Sequence, residues 1–365
     1  MSATDNGCAE ADNALAAATG RALWEPMTTS LGDALARGLL GEPIYTALDV
    51  SAQSGVPIEE TRRLWRAMGF PPVAEDQRIF TAADVATLLA ARRLVDQQLA
   101  APEVLLQLTR TTGQALARIA EAQVATATEE GAATTDAPAI EAMAAAVEPL
   151  LGYVWRRHLV AAAVRATTAA VGPDGMQLVV GFADLVGFTA FSQLRGPTEL
   201  AAAVDRFETL AYEHIPERGG RVVKMIGDEV MFTVDDPAAA AEIAMALVDA
   251  YGRDPELPTV RVGLALGTVV SWQGDLYGPT VNLASRLVNI ARAGTVLASE
   301  ELGERLRDQS GLVLRHLGAV RLKGIGRMRS WVVRRGAGHQ YPPAAHGNRR
   351  PAARRRSRAG APAAG

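Results

Sequence analysis

Between Gln177 and Leu266, short apolar runs exchange with longer segments of helical period, and their order leaves few folds open. Gln177–Phe182, Arg221–Met225, Val230–Val234 and Val260–Leu266 read as strands, and Pro197–Ile215 and Pro237–Tyr251 as helices. The β-α-β-β-α-β order predicts an α+β, ferredoxin-like domain, with both helices on one face of an antiparallel sheet. Gly227-Asp228 supplies the hairpin turn between the two middle strands. A helix from Val281, a strand near Thr295–Ala298 and strands around Leu312–Lys323 and Ser330–Arg334 extend this core.

Two carboxylates stand where these strands meet turns: Asp184 in FADLVGFT and Asp228 in KMIGDEVMF. Mg²⁺ takes oxygen ligands and is usually held by one or two carboxylates plus substrate phosphates, so this pair suffices for a nucleotide-bound metal site. The Leu185 carbonyl, where the chain turns toward Gly187, is a further candidate ligand. Downstream, GDLYGPTVNLASR adds Asp275, Asn282 and Arg286. The last two are four apart in an amphipathic helix, so both project from one face. Taken singly, each has a plain structural reading: a turn former, a hairpin aspartate, a solvated strand lysine at Lys224, a loop acid, a polar helix face. Their co-occurrence in this order on these elements points to chemistry on a nucleoside triphosphate.

These segments resemble the catalytic domain of the class III adenylyl cyclases, from about Met176 to Arg335, a little under half of the chain. The resemblance implies that Asp184 and Asp228 bind two Mg²⁺ or Mn²⁺ ions, that Lys224 and Asp275 read adenine, and that Asn282 and Arg286 serve the transition state. It further implies that Lys323, in RLKGIG, reaches the triphosphate. In that family the metal aspartates come from one protomer and the base-reading and transition-state residues from the other. One copy of each motif therefore implies a homodimer with two equivalent sites.

The side chains support the same reading. Forming a 3′,5′-cyclic nucleotide builds charge on both the attacking and the leaving oxygen, and two cations answer both demands. Adenine offers an acceptor at N1 and a donor at N6, which match a lysine and an aspartate, and guanine reverses both. GTP would leave unpaired polar groups, at roughly 1–3 kcal/mol each. ATP is the expected substrate. No dedicated protein base is evident, so positioning and electrostatics are expected to carry the reaction.

The remaining chain reads as regulation. Residues 1–20 are small and polar and are expected to be disordered; 21–168 form an all-helical regulatory domain, 176–335 the catalytic domain, and 336–365 a disordered basic tail. Within the helical part, Ala47–Val73 followed by Phe80–Val95 resembles a MerR-type helix-turn-helix, with Arg62, Arg63 and Arg66 on its second helix. Few other cations surround that helix, so a regulatory bundle is favoured over a DNA reader. Thr81 and Asp84 have the spacing of a helix cap. Tyr153–Val164 lacks helix breakers and precedes the catalytic half, as a switch helix would, and His158 within it is a candidate pH sensor.

At 48% hydrophobic and 21% charged residues, the composition is that of a water-soluble chain. No uncharged apolar run is long enough to span a bilayer, and the N-terminus lacks a signal-peptide pattern, so a cytoplasmic protein without a transmembrane segment is expected. The single cysteine, Cys8, fits a reducing compartment. Arg349, Arg350, Arg354, Arg355, Arg356 and Arg358 make the tail a candidate for contact with anionic surfaces. Two other readings compete. IGDEV resembles the GGDEF loop of diguanylate cyclases but lacks its second glycine, and a DNA-binding regulator would use the cyclase-like domain only to sense nucleotide.

Overall fold

The computed structural model describes residues 30–129, 137–168, 171–172, 175–322, 324 and 326–336. Cys8, Lys323 and the arginine-rich tail lie outside them. The chain divides into two compact units, one ending at Thr168 and one beginning at Ala169.

The described residues of the first unit form helices α1 (Ser30–Leu40), α2 (Ala47–Ser54), α3 (Ile58–Ala67), α4 (Ala82–Asp96), α5 (Pro102–Glu129) and α6 (Ala137–Thr168). Reciprocal capping sets two of the starts. The Thr46 amide donates to Asp49 at 2.9 Å, and the Thr81 amide donates to Asp84 at 2.7 Å, so each orphan donor at a helix entry finds a carboxylate. Gly55, at φ +66, ends α2 in the left-handed conformation that glycine adopts without a Cβ clash. Trp65 packs on Phe70 and Phe80, with ring centroids 4.5 and 4.8 Å away. Arg62 donates to both Glu59 and Glu75, so acids on its own unit neutralise one of the three arginines on α3. No helix among the described residues is long and apolar enough to cross a membrane.

The second unit is a nine-stranded sheet. Its strands are β1 (Val171–Gly172), β2 (Gly175–Leu185), β3 (Arg221–Ile226), β4 (Glu229–Val234), β5 (Val260–Trp272), β6 (Asp275–Tyr277), β7 (Val296–Ser299), β8 (Leu312–Leu322) and β9 (Gly326–Arg335). Among them run helices α7 (Phe188–Ser192), α8 (Pro197–Glu217), α9 (Pro237–Arg253), α10 (Pro279–Ile290) and α11 (Glu300–Leu306). The main order is β3-β4-β2-β5-β7-β9-β8, and its first four strands are the antiparallel ferredoxin-like core. The β5–β7 pairing is parallel, so the extended sheet is mixed rather than wholly antiparallel. A parallel neighbour needs a crossover, and α10 provides it.

Alternation along the strands sorts the core into two layers. Val179, Leu185, Val230 and Phe232 pack with Phe207 and Ile215 of α8 and with Ile243, Leu247 and Tyr251 of α9. On the opposite face Phe182, Met231 and Ala265 pack with Ala284 and Val288 of α10. Seating α10 requires bare backbone on β5. A Cβ on Gly263 would lie 2.3 Å from the Val288 nitrogen and 2.6 Å from the Ala284 oxygen.

Candidate active site

The end of β2 and the β3–β4 turn are bonded to each other. The Leu185 amide donates to the Asp228 carbonyl at 3.1 Å, and Gly227 turns the hairpin at φ +62. The Leu185 side chain is buried in the α8–α9 layer, which leaves only its backbone facing this turn. Asp184 is flanked across the sheet by Glu229 on β4 and by Arg261 on β5. Arg261 Nε donates to Asp184 Oδ2 at 2.6 Å, and its Nη1 donates to the Asn289 carbonyl at 3.0 Å, at the end of α10. A single guanidinium thus joins a candidate metal ligand to the helix that carries Asn282 and Arg286.

Charge in this cluster is unbalanced. Burial pushes the Asp228 carboxyl above its ordinary range, and the negative charge of Asp184 adds to the effect while Arg261 opposes it. Glu229 is raised to about 7 by burial and then by Asp184 and Asp228. An all-oxygen donor set short of positive charge suits a hard divalent cation. Among the described residues no group of three or more acids, histidines or cysteines is arranged to hold an ion alone. Nucleotide phosphates would therefore complete the coordination shell, and the residues present fit Mg²⁺ or Mn²⁺ on those terms.

Lys224 and Asp275 meet although 51 positions separate them. Lys224 shares its face of the sheet with Phe182 and Met231, the face that α10 covers. Asp275 begins β6, which folds back on β5 through Gln273 at φ +54 and Gly274 at φ +82. One Asp275 oxygen accepts from Lys224 Nζ at 2.5 Å and the other from the Leu276 amide at 2.8 Å. A donor and an acceptor are thereby held side by side.

Asn282 and Arg286 are exposed on α10, and neither side chain has a hydrogen-bond or ionic partner among the described residues. The helix entry is fixed by Gly278 at φ +132 and by Thr280, whose hydroxyl donates to the Thr268 carbonyl at 2.7 Å. One chain therefore gathers Asp184 with Asp228 and Lys224 with Asp275, and leaves Asn282 and Arg286 bare. Lys323 falls outside the described residues. Sequence reasoning missed Arg261 and Glu229. The only signal for Glu229 was a third acid beside Asp228; for Arg261 it was a charge within an apolar strand, two positions before Gly263.

The family profile described as the adenylate and guanylate cyclase catalytic domain matches residues 175–335, and that of the adenylate cyclase regulatory domain matches residues 24–167. An adenylate cyclase of Streptomyces coelicolor is 40% identical over 273 residues, covering 72% of this chain and 71% of that protein. The chain belongs to the class III adenylyl cyclases. An adenylate cyclase of Streptomyces griseus is 37% identical over 297 residues, covering 77% of this class III chain and 73% of that one. A pH-sensitive adenylate cyclase of Mycobacterium tuberculosis is 34% identical over 324 residues, covering 82% of this chain and 81% of its own. Class III membership makes this chain an enzyme and accounts for a helical unit ahead of the cyclase fold.

Proposed function

We propose that the protein converts ATP to 3′,5′-cyclic AMP and pyrophosphate in the cytoplasm, at two equivalent sites shared across a homodimer and regulated by its helical unit. The Lys224–Asp275 pair carries this reading. It presents one donor and one acceptor in the polarity that adenine N1 and N6 require, and guanine would meet both with the wrong partner. Two observations support sharing between subunits. Asn282 and Arg286 are exposed in the single chain, and the β5–β6 ribbon leaves Val270, Trp272 and Tyr277 at 56%, 51% and 51% exposure. A ribbon face this apolar calls for a covering partner.

In the mechanism, Asp184 and Asp228 would hold two Mg²⁺, with the Leu185 carbonyl as an added ligand, and the ions would supply Lewis-acid activation of the ribose 3′-hydroxyl and neutralise triphosphate charge. Lys224 and Asp275 fix the base, and Asn282 orients the ribose. The 3′-oxygen bonds to the α-phosphorus as the bond to the α–β bridging oxygen breaks, pyrophosphate departs, and the 3′-hydroxyl proton passes to solvent. Arg286 stabilises the charge on the pentavalent phosphorus, and Lys323 holds the leaving phosphates.

Complementation tests the shared site. Asp184→Ala and Arg286→Ala should each be silent alone. When co-expressed, half of the random dimers should carry one intact site, giving about a quarter of wild-type cyclic AMP output. A silent mixture beside an active wild type would refute the sharing, and output from GTP equal to that from ATP would refute the substrate.

A further inference from the structure

Arg261 is the one charged residue in the apolar stretch Val260–Gly267. Along β5, Val260, Val262 and Leu264 enter the α8–α9 layer, while Ala265 and the bare Gly263 lie on the α10 side. Strand alternation puts Arg261 on the α10 side as well, where Asp184 is its direct cross-strand neighbour and Glu229 stands one strand further on. Its Nε donates to Asp184 Oδ2 at 2.6 Å, and its Nη1 donates to the Asn289 carbonyl at 3.0 Å. That carbonyl belongs to the last turn of α10, where C=O groups lack an intrahelical donor and carry partial negative charge. The guanidinium therefore has a backbone anchor that does not depend on Asp184.

The side chains of Arg261 and Asp184 are only 27% and 15% exposed, so little water competes for their bond. Asp184 Oδ1 accepts no hydrogen bond from any described residue. One oxygen is held and the other is open. A carboxylate flanked by a second acid and lacking a donor would turn between orientations. Two donors diverging from one rigid plane prevent this, whereas a lysine ammonium supplies the charge without the plane. Metal ligands are commonly oriented by such a hydrogen-bonded partner.

We propose that Arg261 is a positioning residue for the metal half of the site: anchored on the end of α10, it holds Asp184 through Oδ2 and leaves Oδ1 to ligate a divalent ion. The inference rests on the reading of Asp184 as a metal ligand. Charge alone predicts the opposite consequence, because a fixed cation repels a divalent ion and its removal would tighten binding. The negative end of α10 blunts that repulsion, so the loss of orientation outweighs it.

The test is a Mn²⁺ titration of the full-length, nucleotide-free protein, followed by the electron paramagnetic resonance signal of the free ion. Arg261→Gln should weaken Mn²⁺ binding by about tenfold, and Arg261→Lys by less. In cyclic AMP formation, Arg261→Gln should raise the Mn²⁺ concentration needed for half-maximal rate, with kcat recovering at saturating Mn²⁺ and KM for ATP little changed. Unchanged or tighter binding by Arg261→Gln, beside weakened binding by Asp184→Ala, would overturn the inference and leave the metal site standing. Unchanged binding by Asp184→Ala would remove both. A raised KM for ATP with unaltered Mn²⁺ binding would assign Arg261 to the substrate instead and so defeat the inference. Should Arg261→Gln fail to fold, Arg261→Lys decides: binding weaker than wild type supports the positioning role, and equal or tighter binding refutes it.

Discussion

Asp275 is held at both carboxylate oxygens, one by Lys224 and one by the Leu276 amide, so its acceptor character is built into the β5–β6 turn. Asp275→Asn keeps the shape but removes the charge on the Lys224 bond and places a donor where adenine also donates. The expected result is a fall of about 10- to 100-fold in kcat/KM for ATP, together with a smaller ATP-over-GTP ratio, since each mispaired polar group costs roughly 1–3 kcal/mol. Steady-state kinetics with both nucleotides measure it. A variant that lost activity with an unchanged ratio would show that Asp275 does not read the base. The Asp184–Arg261 pair sits at the same scale and does a different job. Its guanidinium compensates one half-buried acid, while Asp228 and Glu229 are left raised by burial and by their neighbours.

At the scale of elements, α10 depends on β5 having no side chain beneath it. Gly263→Ala would put a methyl group against the backbone of Val288 and Ala284, atoms that cannot rotate away. The helix must lift, taking Asn282 and Arg286 with it. A loss of roughly 1–3 kcal/mol in stability is expected from such overpacking, with a fall in kcat larger than the change in KM for ATP. Thermal unfolding and initial rates check both, and a variant with wild-type kcat would mean that α10 position does not govern turnover. The ferredoxin-like core was legible in the sequence because its strands are short apolar runs, buried on both faces, and Gly227-Asp228 marks a hairpin. The β5–β6 ribbon was not, because Gln273 takes a positive φ that nothing in its type announces. The parallel β7 was hidden too, since a four-residue buried strand, Val296–Ser299, looks alike in either direction. The pairing of Asp184 with Asp228 and of Lys224 with Asp275 was implied by the family resemblance. Arg261 could not be paired, because its partners lie 77 and 28 positions away.

The whole molecule joins a cyclase fold to a helical unit that leaves much of α6 uncovered. Leu150, Tyr153, Val154, Trp155, Leu159 and Val160 are 40–63% exposed, and they occur around the helix rather than on one stripe. A helix apolar on several sides is favoured in water when other surfaces cover it. His158 lies in the same exposed stretch, beside Arg156 and Arg157. Pro149 and Gly152 both precede Tyr153, and from there to Thr168 α6 contains no proline or glycine. If α6 transmits a regulatory state, removing residues 1–165 should change kcat for ATP by about fivefold or more, through a shift of roughly 1 kcal/mol in how often the catalytic halves are competent. Turnover of the truncated and full-length chains, each measured across a range of protein concentration, separates this from simple loss of dimerisation. A concentration-dependent loss that saturates at wild-type kcat would assign the helical unit to assembly alone. A changed kcat at saturation would assign it to control.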